Sequence, residues 1–115
     1  MANETIFSKI IKKEIKSDIV YEDEKVFAFR DTNPQAPTHI LVIPKKPISG
    51  LAQANKDDEK LLGYLLLKSA EIAKKEGLDK TGYRVVINNG EKAGQTVFHL
   101  HFHILGGRDF NWPPG

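Results

Sequence analysis

The chain has no cysteine in its 115 residues, which excludes a disulfide framework and a thiolate zinc site and fits a reducing compartment. It also lacks any stretch near the ~18 consecutive apolar residues that a membrane span requires. Its first ten residues, MANETIFSKI, carry an acid at Glu4 and no long apolar run, so no secretory signal is expected. Charge of one sign is scarce: the formal net charge is +2. The basic doublets Lys12-Lys13, Lys45-Lys46 and Lys74-Lys75 are scattered among acids and prolines, which argues against a nucleic-acid track. No GxxxxGK[ST] run is present, so P-loop kinase or GTPase chemistry has no support. A cytoplasmic protein with no membrane and no nucleic-acid partner is the expectation.

What is present is ordinary globular material. With 40% hydrophobic and 28% charged residues, the chain can bury a real core as one domain over 1–115, without repeats or a linker. Ile6, Phe7, Ile10 and Ile11 have helical spacing in TIFSKIIKKE, which predicts a short amphipathic helix. Val20 and Tyr21, an acidic turn, then Val26, Phe27 and Phe29 predict a hairpin. DTNPQAP is a loop, and HILVIP is a strand ended by Pro44. The longest helix is predicted from Asn55, an N-cap, to Gly77, with a stripe of Leu61, Leu62, Leu65, Leu66, Ser69, Ile72 and Ala73. GYRVVIN and FHLHFHIL predict two more strands around the loop NGEKAGQT. The sum is an α+β domain of about five strands, mostly antiparallel, with one long helix on the sheet.

Three of the four histidines alternate in QTVFHLHFHILGGR. On a strand, side chains alternate between faces, so His99, His101 and His103 share one face and Leu100, Phe102 and Ile104 the other. Two such histidines can share a zinc ion. The third Cα lies about 13 Å from the first at ~3.3 Å per residue, so one ion would need His39 or a carboxylate to complete its shell. The other reading is nucleophilic and acid–base chemistry. Crowded imidazoles titrate as a coupled set that keeps some rings neutral, and a neutral imidazole attacks an electrophile such as phosphorus. Gly90 and Gly94 allow main-chain N–H groups close to a ligand, and Gln95 and Thr96 add polar side chains just before the histidines.

HLHFHIL resembles the alternating pattern of the histidine-triad (HIT) superfamily of nucleotide hydrolases and transferases. TIFSKIIKKEI, FRDTNPQAPTHILVIPKKPIS, GYRVVINNG, GQTVFHLHFHILGGR and the terminal WPPG are similar to its Hint branch, the purine nucleoside phosphoramidases. The resemblance implies the HIT fold: a five-stranded, mainly antiparallel sheet with one long helix and one short N-terminal helix. It implies that His101 is a nucleophile forming a nucleotidyl-histidine at the α-phosphorus, and that His103 contacts the phosphate and assists the leaving group. His99 and His39 would support them, with the His99 carbonyl orienting the nucleophile's ring. Asp31 would bind the ribose, Asn88, Gly94, Gln95 and Thr96 the phosphate side. Phe7, Ile10, Ile15, Phe29 and Thr32 would wall the purine and ribose. Taken on residues alone, Asp31 and Asn88 also read as turn residues, His39 as structural, and Phe7, Ile10, Ile15 and Phe29 as core.

The implied ligands are purine nucleoside monophosphates and phosphoramidates, with no cofactor and no metal. The implied assembly is a homodimer, with the tail from about 106 to 115 at its interface and Trp112 near the partner's site. Thr96 stands where the family usually has serine, Arg30 and Pro47 where it often has histidine, which bears on substrate preference. A dinucleoside polyphosphate hydrolase, a nucleotidyl transferase, a zinc-binding regulator and a non-catalytic nucleotide-binding protein are the alternatives.

Overall fold

The computed structural model describes residues 4–115; residues 1–3, part of the single domain expected over 1–115, lie outside the described residues. Helix α1 (Ile6–Ile11) begins at Thr5, where the Thr5 hydroxyl accepts from the Ser8 N–H at 3.2 Å and the Ser8 hydroxyl from the Thr5 N–H at 2.8 Å. It spans the four apolar residues whose spacing predicts a short helix and ends before Lys13, which has a φ of 64°. Strands β1 (Ile19–Glu22) and β2 (Val26–Arg30) form the expected hairpin. One oxygen of Asp23 accepts the N–H groups of Lys25 and Val26, each at 2.8 Å, and closes the turn.

Strand β3 (Thr38–Pro44), helix α2 (Glu59–Lys75), β4 (Tyr83–Val86) and β5 (Phe102–Gly106) complete the domain. The sheet order is β1-β2-β3-β5-β4, antiparallel at every pairing. Asn55 caps a short 3-10 turn, Lys56–Asp58, that leads into α2. Leu65, Ser69, Ile72 and Ala73 are buried on α2, and the Ser69 hydroxyl donates back to the Leu65 carbonyl at 2.8 Å, which lets a polar group sit in the core. The stripe is narrower than expected: Leu66 is 51% exposed, beside Leu67 at 71%. Gly77, at φ 79°, turns the chain out of the helix.

The period-two pattern gives the sheet two faces. Val26, Ala28, Ile40, Val42, Phe102 and Ile104 pack with α2, whereas Phe27, Phe29, Leu41 and Ile43 pack with Phe7 and Ile10 of α1. The strands expected at GYRVVIN and FHLHFHIL are both cut short, at Val86 and at Phe102. In the β3–β5 register Val42 faces Phe102, so continuing it would set Leu100 against Pro44, which has no N–H to give. Residues 98–101 therefore run outside the ladder, anchored by the Leu100 N–H to the Ile48 carbonyl at 2.6 Å.

Candidate active site

Although the ladder stops, the alternation of faces continues. Leu100, Phe102 and Ile104 are buried against α2, and the three histidines look the other way, toward α1. His39 arrives from β3, two residues before Leu41, which pairs with His103. Phe7 sets its ring edge-on to His101, with centroids 5.0 Å apart at 87°, and to Phe29 at 5.5 Å. His101 and His103 have ring centroids 4.9 Å apart.

The hydrogen bonds assign a tautomer to each ring, because a carbonyl can only accept and a main-chain N–H can only donate. His99 Nε2 donates to the Pro44 carbonyl at 2.7 Å, and His101 Nδ1 donates to the His99 carbonyl at 2.7 Å. Neutral His101 therefore carries its lone pair on Nε2. His39 Nδ1 accepts the Gln35 N–H at 3.0 Å, so its proton lies on Nε2, which donates to His103 Nδ1 at 2.9 Å. That leaves the His103 proton on Nε2, a buried nitrogen with no partner among the described residues. One ring thus presents a lone pair and its neighbour an N–H.

Burial keeps the rings neutral. It lowers the pKa of His101, against the opposing pull of the His99 carbonyl and Asp31. Burial also lowers His39 and His99. His103 falls furthest, to about 4, from burial first and then from the positive potential of His101 and His39 in their charged forms. A depressed histidine pKa means the unfolded chain takes up protons first as pH falls. Stability is then full above pH 6.5 and is lost as pH drops through the window down to about 4. The melting temperature is expected to fall over that window in thermal scans and to fall less steeply in His103→Gln; an unchanged slope would contradict the buried neutral rings.

The other expected site residues divide. Asp31 is partly buried; one oxygen accepts the Asn33 N–H at 2.8 Å and the other lies 3.5 Å from His39 Nε2, so it is both a turn cap and a neighbour of the histidines. Phe7, Ile10 and Phe29 are buried beside the triad, whereas Ile15 is 37% exposed and Thr32 and Thr96 are exposed. Asn88 is half-buried just beyond β4. The Gln95 side chain is buried and taken up within its own surroundings: it accepts from Gly90 N–H and donates to the carbonyls of Ser49 and Val97. The Gly94 and Gln95 N–H groups likewise close the loop on Glu91 and Gly90. Arg30 turns to the opposite face and pairs with Glu76 at 3.0 Å.

Asp31, His39 and His103 bring ligand atoms within 4.8 Å of one another. They do not suit a metal ion. A His39 ring bound through Nε2 would have to carry its proton on Nδ1, which faces the Gln35 N–H. Gln35 and Arg108, whose Nε donates to the Gln35 carbonyl, carry no sequence signal for this part, because Gln35 acts through its main chain.

A small α+β domain thus carries a row of neutral imidazoles on one sheet face, with a lone pair on one ring beside an N–H that has no partner among the described residues. Residues 12–110 match the model of the HIT domain, and the chain belongs to that family. It is 62% identical over 113 residues to a 14 kDa zinc-binding protein of Zea mays, covering 96% of this chain and 88% of the other. The crystal structure of a HIT family hydrolase from Legionella pneumophila superposes with a TM-score of 0.95 at 47% identity, over 97% of this chain and all of that one. A histidine triad nucleotide-binding protein from Candida albicans gives 0.82 at 35% identity, over 96% and 83%.

Proposed function

We propose that the protein hydrolyses the phosphorus–nitrogen bond of adenosine or guanosine 5′-phosphoramidates through a nucleotidyl intermediate on His101. The observation that carries this is the complementary pair of nitrogens: a lone pair on His101 Nε2, fixed by the His99 carbonyl, beside the buried, unpartnered Nε2–H of His103. The likeness to a hydrolase and to a nucleotide-binding protein supports it. The lone pair forms a bond to phosphorus, and the P–N bond breaks with its electrons going to the amine. The amine takes a proton from water on the open side, where Thr96 is exposed. Water then attacks phosphorus, the His101–phosphorus bond returns its electrons to Nε2, and a nucleoside monophosphate and a proton leave. The His103 N–H is placed to hold a phosphoryl oxygen throughout. Asp31 meets the ribose hydroxyls, and Phe7, Ile10 and Phe29 back the nucleoside.

The same reading includes a twofold homodimer. Strand β4 is an outer strand, α2 exposes Leu66 and Leu67, and Trp112 is 83% exposed on the tail. Phe110 is held on its own chain between Arg84 and Arg108, so the tail root is fixed and Trp112 projects. Native mass spectrometry after incubation with a slow AMP–amine conjugate is the test. Twice the chain mass, with a nucleotidyl adduct mapping to His101, is expected; an adduct elsewhere, or none with turnover intact, would overturn the mechanism. Faster cleavage of diadenosine polyphosphates than of AMP–amine conjugates would reassign the substrate.

A further inference from the structure

A hydrogen-bonded path runs from the C-terminal tail to the histidines. Arg108, exposed just after β5, donates Nε–H to the Gln35 carbonyl at 2.9 Å. The Gln35 N–H meets His39 Nδ1 at 3.0 Å, and His39 Nε2–H meets His103 Nδ1 at 2.9 Å. The guanidinium is itself held, 4.2 Å from the Phe110 ring centroid and bonded through Nη1 to the Asp109 carbonyl at 3.0 Å.

We infer that Arg108 and Gln35 are positioning residues that hold His39 neutral and His103 as a fixed hydrogen-bond donor. A peptide N–H neither gives up its proton at working pH nor accepts one. While it occupies Nδ1, His39 can be neither a cation nor the other tautomer. Of the groups facing His39, the Asp31 carboxylate, 3.5 Å from Nε2, favours a cation; His103 lies against the same nitrogen and His101 beyond it, and neither carries a negative charge. Burial and the Gln35 N–H stand against that pull, and Arg108 holds Gln35 in place through its carbonyl, which belongs to the next peptide along the chain.

The path also sets what His103 can do. On its Nδ1 side His103 can draw a replacement proton from His39, whose own Nδ1 ends on a peptide N–H with none to supply. His103 therefore donates a hydrogen bond and keeps its proton. This deepens the proposed hydrolysis, and only the kinetic half of the test rests on that reading.

The test is Arg108→Ala, with imidazole nitrogen NMR and a pH profile. The midpoint for proton uptake at His39 Nδ1 is expected to rise by about one pH unit. The acid limb of kcat on an AMP–amine conjugate should rise with it, while KM changes less than about twofold. Lys60→Ala, an exposed change on α2 across the sheet from the histidines, should leave both readings at their wild-type values. Gln35→Pro removes the N–H itself, with folding checked by melting. An unmoved His39 midpoint in Arg108→Ala, or in folded Gln35→Pro, overturns the inference. Should the protein turn over no phosphoramidate at all, the ring NMR still decides it.

Discussion

His101→Ala is expected to fold, to bind AMP with nearly unchanged affinity, and to cleave an AMP–amine conjugate at least about 10⁴-fold more slowly. The expected loss is large because, among the described residues, this ring is the group whose geometry offers a lone pair beside the His103 donor. Without it, water must attack the phosphoramidate in a single displacement. Binding is expected to survive because the groups proposed to hold the nucleotide, Asp31, His103 and the buried Phe7 and Phe29, are untouched. The variant should also lose the nucleotidyl adduct. Equilibrium AMP binding and single-turnover kinetics check the two halves separately; turnover near the wild-type rate would remove His101 as the nucleophile.

The largest stability effect is expected at Phe27. Its side chain is fully buried on β2, under α1, and its ring lies 5.9 Å from that of Phe29, which in turn touches Phe7. Phe27→Ala removes a ring that the neighbouring strands cannot close over, at a cost of about 3–5 kcal/mol. Against a total of roughly 5–15 kcal/mol for a domain, that is a large share. Urea unfolding should show it as a lower midpoint. Lys16→Ala, at an exposed position between α1 and β1, should stay within about 0.5 kcal/mol. Equal losses in the two variants would mean that the core beneath α1 is not packed as described. The Phe27 change should also loosen Phe7 and, through it, His101, so activity per folded molecule falls too.

Much of this architecture was legible because period decides face. The alternation in HLHFHIL sorted its residues between the α1 and α2 sides without any knowledge of partners, and Asp23 and Asn55 marked their turn and cap through local chemistry. What was hidden depends on distant chain. The ladder stops at Phe102 because of Pro44, 58 residues earlier in number, and nothing near His99 reveals it. The width of the α2 stripe depends on how far the sheet extends beneath it, so Leu66 read as core and is open. Gln95 has the chemistry of a ligand contact, and only the folded loop shows its amide engaged with Ser49, Val97 and Gly90. The protonation of His39 rests on a peptide group, which every residue but proline has and no composition can flag.

The early end of β5 has a mechanical consequence. In the proposed reaction, the His101 nitrogen would travel from a contact of about 3–3.5 Å to bonding distance and back again. The His101 ring sits on backbone outside the ladder, tied by the Leu100 N–H to Ile48, whereas His103 lies within β5. Under the proposed mechanism, movement of the His101 ring would break no strand pairing, and His103 would hold its place in the sheet.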